Sequence, residues 1–432
     1  MVSPPTLAMH VPRAPALILV MPCPATSSTN SNKYAFPCFS LASLIHQPTR
    51  FGPDEYAERD HIQMILEGKL SLSDIRYVPH SFKGDLEEDK VYDEIYADFC
   101  VYDMTLHKQD PSAYPAIRDV MGESRHCSEH RYSFPLREVI DAVREYDARP
   151  DTAVRSVPVS GILLHEGRSG ATLISNALAV AHPESTQVIS EHPAILEALQ
   201  ACDKIRNKHL SEDCDMNKQQ RAVQDIVHLL SRTADASISN LYLKMQSAAS
   251  PYLHQLRTAF PEAKWAFFYR DADVALAKAT QRKRNACIKQ RRSPSSAMLA
   301  YSTTNGIDLE AASNHEICAM HLSTLINTAF EEHSSSGTGL LVSYDDDIIQ
   351  SGGMPILDTI LPYFGVDDAN KDSDVKSRIM NILSLNANSR GRSDDTKKWN
   401  PRDDLADVTD EVKAASSKYL KDDTLKIQRT RA

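Results

Sequence analysis

Residues 165–172 read His-Glu-Gly-Arg-Ser-Gly-Ala-Thr, directly after an apolar run beginning at Val159 and directly before the helix-like run Leu173 to Val180. A strand that ends in a turn of glycines, hydroxyls and one cation before a helix makes an oxyanion site. The first backbone N–H groups of a helix lack intrahelical partners, and the helix dipole is positive there. The chemistry this predicts is recognition of a phosphate-like group. A nucleoside triphosphate loop asks for G-x-x-x-x-G-K-[ST], with Lys ahead of the hydroxyl residue. Here Ala171 stands between Gly170 and Thr172, and the nearest cation, Arg168, comes earlier. Arg offers a planar fork of donors that keeps its charge at every working pH. The pattern therefore counts against a triphosphate kinase.

Such a loop needs a sheet to hold it. Apolar runs at 159–164, 186–190, 240–246, 265–269 and 340–344 predict strands, with helical patterns between them near His192, over 216–232, from Pro251, over 273–284 and over 310–332. Strands separated by helices predict right-handed crossovers and a parallel sheet with helices on both faces, an α/β fold. In such sheets ligands bind beyond the carboxyl ends of the strands. This α/β domain is expected over 155–425. Upstream, residues 41–150 are polar and acidic. Apolar positions at helical spacing, Ile62, Met64, Ile65 and Leu66, then Leu136, Val139, Ile140 and Val143, predict a mainly helical N-terminal region that caps the sheet. Residues 1–40 read as a disordered leader or a targeting segment, outside the fold.

The motif Arg168-Ser169-Gly170-Ala171-Thr172-Leu173 resembles the 5′-phosphosulfate loop of sulfotransferases that use 3′-phosphoadenosine 5′-phosphosulfate (PAPS), above all in the tyrosylprotein and carbohydrate branches. Further along, the run Trp265 to Tyr269 is followed by Arg270-Asp271-Ala272, similar to the family's strand, Arg-Asp-Pro and helix, and is preceded by a similar Phe-Pro-x-x-Lys segment. The family's 3′-phosphate clamp pairs that Arg with a Ser eight residues later. This chain has Ala272 for the Pro and Lys278 for the Ser. Ala181-His182-Pro183-Glu184, then Ser190-Glu191, resemble the region of the tyrosylprotein branch that carries its catalytic Glu. Leu340 to Ile349 is similar to a further strand end. Ser389-Arg390-Gly391-Arg392 resembles the basic loop that closes over the nucleotide, with Trp399 downstream.

The resemblance implies a P-loop-like sulfotransferase fold with PAPS as donor and no metal required. Arg168, Ser169, Gly170, Ala171, Thr172, Leu173, Arg270, Lys278, Arg390, Gly391 and Arg392 are then expected at the nucleotide. Sulfuryl transfer is an in-line displacement, so catalysis is positioning and charge stabilisation. Glu191 is the expected base for the acceptor hydroxyl, with His192 and His182 as alternatives, and Arg168 is expected to stabilise the leaving oxygens. Lys244, ending its strand, is a further candidate at the same rim, and Glu166 is read as ordering the loop. The acceptor is a hydroxylated small molecule, glycan or protein. A catalytically silent nucleotide-binding relative or scaffold is the alternative, with a P-loop kinase behind it.

The 432 residues are 42% hydrophobic, enough for a large core, and carry a formal charge of -10, which argues against a nucleic-acid partner. The basic run Arg282, Lys283, Arg284, Lys289, Arg291, Arg292 stands out against that balance, as a solvated face, an extension of the clamp or a surface for an acidic acceptor. Cys23, Cys38, Cys100, Cys127, Cys202, Cys214, Cys287 and Cys318 are scattered without a C-x-x-C pair, so reduced thiols in a cytoplasmic protein are expected. The N-terminal segment leaves the secretory pathway or an organelle open. His126, Cys127 and His130 are metal-ligand types, read as loop residues. The apolar run Ala14 to Met21 is too short for a stable membrane span.

Overall fold

In a computed structural model of the protein, residues 60–77, 95–203, 216–281, 286–387, 390, 398 and 407–431 are described. Residues 1–40, Arg282 to Arg284, Ser389, Gly391, Arg392 and Trp399 lie outside the described residues. Ten strands run through the described part: β1 Ser71–Tyr77, β2 Ile95–Cys100, β3 Tyr132–Pro135, β4 Arg155–Ser156, β5 Val159–His165, β6 Thr186–Ser190, β7 Arg232–Thr233, β8 Asn240–Lys244, β9 Lys264–Tyr269 and β10 Leu340–Ser343.

The five runs expected to be strands form one parallel sheet in the order β10-β9-β5-β8-β6. Strand β5 is central, with Leu163 opposite Lys244 on one side and Ala266 on the other. Side chains alternate across a strand, so each strand feeds two cores. Ile162, Leu164, Leu241, Leu243, Trp265 and Phe267 enter one, and Leu163, Tyr242, Ala266 and Phe268 the other. The helices Leu253–Ala259, Ala272–Thr280 and Asn314–Ser336 cover the first face; Ala171–Ala181 and Ser373–Leu383 cover the second. Burial of Trp265, Phe267, Phe268 and Tyr269, worth about 2 kcal/mol or more apiece, fixes the strand end that precedes Arg270. After β5 the chain passes over β8 to reach β6, and after β8 it crosses to the other side of β5 to form β9. In sheets of this kind, such a reversal is where ligands bind, beyond the carboxyl ends of the strands.

Helices occur where expected upstream, and Leu136–Asp147 buries Leu136, Val139, Ile140 and Val143. The structure adds an antiparallel sheet, β1-β2-β3, inside the stretch read as mainly helical. Its period-2 signal is hidden. A bulge between Leu72 and Asp74 breaks the alternation in β1, and β2 is buried at five of its six positions. Leu72, Ile75, Ala97 and Phe99 belong to the same buried cluster as Ile162, Leu164 and Ile189, so this sheet packs onto the parallel one.

The cysteine expectation is corrected. Cys100 is bonded to Cys127 and Cys287 to Cys318, across 27 and 31 residues of chain. Pairing follows proximity in space, which spacing along the chain does not report. The Cys127 sulfur is thereby committed, and His126 Nδ1 accepts from the Val101 N–H at 3.2 Å. Among the described residues no helix is long and apolar enough to cross a membrane.

Candidate active site

All five parallel strands end in polar residues at one rim: Glu166 to Gly170 after β5, Glu191 after β6, Lys244 on β8, Arg270 and Asp271 after β9, and Tyr344 and Asp345 after β10. Neighbouring strands lie about 4.8 Å apart. The loop after β5 therefore sits one strand from Arg270 on one side and one strand from Lys244 on the other, with Glu191 one strand further.

The loop turns through left-handed backbone at Gly167 (φ 101°), Arg168 (φ 59°) and Gly170 (φ 88°). Its base is tied to β9, since the Phe268 carbonyl accepts from the Glu166 N–H at 3.2 Å and from the Ser169 hydroxyl at 2.7 Å. Gly170 is the N-cap of the 11-residue helix Ala171–Ala181 and has no side chain to cap it. Arg168 is exposed, Thr172 is half-buried, and Ala171 and Leu173 are buried. A Cβ on Gly170 would lie 2.5 Å from the Tyr344 ring, so glycine is required by both conformation and packing.

Arg270 was expected as a contact for the 3′-phosphate of the nucleotide. The structure buries it, at 3% exposure. Its guanidinium donates to the Arg168 carbonyl at 3.2 Å and to Asp345 Oδ1 at 3.0 Å, and lies 4.8 Å from the centre of the Tyr344 ring. Asp345 Oδ2 also accepts from the Asp271 N–H at 2.6 Å, while Asp271 caps its helix by accepting from Asp273 and Val274. Arg270 thus braces the loop after β5 against the end of β10. Glu166 Oε1 accepts from the Arg270 backbone N–H at 2.8 Å, joining the loop to β9 a third time.

On the other side, Lys244 Nζ donates to Glu191 Oε1, and Arg118 Nη2 lies 3.9 Å from Glu191 Oε2. The Lys244 side chain is 1% exposed and that of Glu191 21%. Burial opposes ionisation of Glu191, but Lys244, His165 and Arg118 outweigh it and hold the carboxyl below its ordinary value. Burial lowers the Lys244 ammonium, with Glu191 opposing. The Glu191 backbone is itself unusual, at φ 56°, and is pinned by its N–H donating to the Lys244 carbonyl at 2.7 Å and by its carbonyl accepting from the Gln246 side-chain amide at 3.2 Å.

His192 does not join this group. Both its ring nitrogens meet backbone, Nε2 with the Leu72 carbonyl at 3.1 Å and Nδ1 accepting from the Ala194 N–H at 3.2 Å, and burial pushes it down to about 4. It caps the helix Pro193–Leu199. His182 ends the helix Ala171–Ala181, about 16 Å from the loop by helix length, and contacts Asp368 at 3.0 Å. Lys278 is half-buried on the helix Ala272–Thr280. Arg390 is exposed with φ 50°, pairs with Asp119 at 3.3 Å, and donates its N–H to the Ser112 carbonyl at 3.1 Å. Sequence reading placed Tyr344 and Asp345 at a strand end without giving either a role, and missed Arg118. Only the polar residues directly after a strand, Tyr344-Asp345, gave a local signal; Arg118 gave none.

No family model matches the sequence, and no curated protein matches it. Among solved structures the chain is similar to the sulfotransferase STF9 from Mycobacterium avium, at 13% identity and a TM-score of 0.37 over 66% of this chain and 80% of that one. It is also similar to the sulfotransferase domain from the curacin biosynthetic pathway, at 11% identity and a TM-score of 0.31 over 61% of this chain and 98% of that domain.

Proposed function

We propose that this chain transfers a sulfuryl group from PAPS to a hydroxyl of its acceptor. The observation that carries this reading is the convergence at one rim of an anion loop lacking the triphosphate lysine and a buried Lys244–Glu191 pair on the neighbouring strand ends. In the step, the acceptor oxygen forms a bond to sulfur as the bond from sulfur to the bridging phosphate oxygen breaks, and adenosine 3′,5′-bisphosphate leaves. The acceptor proton passes to Glu191, which its cationic neighbours keep ionised. Proton transfer is late, when the attacking oxygen has become acidic. Once neutral, Glu191 no longer holds the Lys244 charge, which is then available to the leaving oxygen beside Arg168 and the helix N-terminus. Arg270 serves the donor through the loop it braces; direct contact with a phosphate requires it to leave Asp345. The disulfides Cys100–Cys127 and Cys287–Cys318, seen among the described residues, support residence in an oxidising compartment in place of the cytoplasm.

Thermal-shift measurements with adenosine 3′,5′-bisphosphate and with ATP test the nucleotide. A ligand that binds only the native state raises its apparent stability. The bisphosphate is expected to stabilise the wild type and not Arg168→Ala; preference for ATP overturns the reading. Transfer of labelled sulfate to a panel of hydroxyl acceptors then tests catalysis. Glu191→Gln is expected to lower the rate by about 10²–10⁴-fold. Bisphosphate binding with no transfer to any acceptor class leaves the catalytically silent relative, a form favoured by the occupation of both Arg270 and Lys244 by the chain's own carboxylates.

A further inference from the structure

A carboxylate at the base of an anion loop is an anomaly that asks for a physical explanation. Glu166 is 5% exposed, Oε1 accepts only the Arg270 N–H, and Oε2 finds no hydrogen-bond partner among the described residues. The cation placed to neutralise it, the Arg270 guanidinium, is turned to Asp345 Oδ1 and the Arg168 carbonyl. A buried, ionised carboxylate with one lone oxygen is far costlier than a neutral carboxyl in the same place.

We infer that Glu166 is held as a neutral carboxylic acid, and that its ionisation at alkaline pH switches off anion binding by the loop. The inference rests on reading residues 166–172 as the donor's anion site. The groups facing Glu166 fit it. Burial is the largest influence and pushes the carboxyl up; the Arg270 N–H and guanidinium oppose, and the carboxylates of Asp345 and Asp271 add to the rise, leaving it at about 8. Arg168 lies in the same loop. Glu166 is a positioning residue: neutral, it ties the loop to β9 without opposing the ligand; ionised, it sets a negative charge beneath a bound oxyanion.

The test is the pH profile of adenosine 3′,5′-bisphosphate binding, by titration calorimetry from pH 6.5 to 9.5, for the wild type and Glu166→Gln. Gln keeps the acceptor for the Arg270 N–H and cannot ionise. The wild-type dissociation constant is expected to rise up to about tenfold per pH unit above 8, and that of Glu166→Gln to stay flat. The probe's phosphates have their second pKa at about 6, so they are fully ionised above pH 8 and do not contribute to the loss there. Wild-type binding at pH 8.5 is also expected to take up a proton, seen as a dependence of the heat on buffer ionisation enthalpy. An equal alkaline loss in both proteins assigns it to another group, such as Lys244, and overturns the inference while leaving the loop reading intact.

A second readout needs no ligand. With a folded pKa above the ordinary carboxyl value of 4.5, Glu166 contributes stability that is full below about 4.5 and lost as pH rises through about 8. The melting temperature of Glu166→Gln is therefore expected to gain on the wild type between pH 5 and 8.5. If the difference does not change with pH, Glu166 holds no proton, whatever the ligand does. Absence of bisphosphate binding at every pH, with that stability trend present, fails the loop reading and the switch but leaves the proton in place.

Discussion

The Lys244–Glu191 pair yields an asymmetric prediction. Removing one partner of a buried pair costs about 3–5 kcal/mol, because the other charge is left uncompensated. Here the two partners are not equally buried. Glu191→Gln strands an ammonium whose side chain is 1% exposed, so the full cost of about 3–5 kcal/mol is expected. Lys244→Met leaves a carboxylate that is 21% exposed and has Arg118 at 3.9 Å, so water and a second cation hold the cost to about 1–3 kcal/mol. The double variant places Met beside Gln with no buried charge, and is expected within about 2 kcal/mol of wild type. The two single costs should therefore exceed the double by at least about 2 kcal/mol. Urea denaturation at pH 7, followed by far-ultraviolet circular dichroism and tryptophan fluorescence, gives the four stabilities. Additive single costs, or a Lys244→Met costlier than Glu191→Gln, would refute the placement of this pair in a buried, coupled geometry.

Two further predictions concern the scaffold. Gly170→Ala combines a left-handed backbone with a Cβ 2.5 Å from Tyr344; a loss of about 2–4 kcal/mol is expected, together with weaker bisphosphate binding, because the ring it displaces stacks on Arg270. A loss under about 1 kcal/mol in urea denaturation contradicts this close approach. Burial holds His192 and His321 down to about 4 and His165, helped by Lys244, down to about 3. Their folded pKa values lie below the unfolded ones, so each contributes stability that is full above about pH 6.5 and lost as pH falls toward 4, at up to about 1.4 kcal/mol per unit. His321→Gln should flatten that acid slope by one histidine's share; an unchanged slope in pH-dependent denaturation excludes His321 from it.

The strand-to-helix turn at 165–172 and the five strands were legible because their signals are local. Glycines and hydroxyls at fixed offsets after an apolar run define a strand-to-helix turn whatever surrounds it, and the runs at 186–190 and 265–269 are apolar enough to stand without context. The β1-β2-β3 sheet was not legible, because a bulge and two-sided burial erase the alternation that marks a strand. Asp271 as a helix cap was readable from type and position; the inward turn of Arg270 was not, because it depends on Asp345, 75 residues away in chain.

Residue types and their short spacings determined that this protein has a glycine-bearing strand-to-helix turn on a parallel sheet, and that Arg168, Glu191, Lys244 and Arg270 stand at strand ends. The fold decided which of them meet. Since the sheet order is β10-β9-β5-β8-β6, β8 lies beside β5 and β6 beside β8, and only that adjacency sets Lys244 against Glu191 and leaves Arg270 to Asp345. Burial, which no residue carries in its own name, raises the Glu166 carboxyl and lowers the His192 imidazole, while at Glu191 the neighbouring Lys244 outweighs burial and holds the carboxyl down. The cost of charge in a low-dielectric interior is a property of the neighbours, and the neighbours come from tertiary structure.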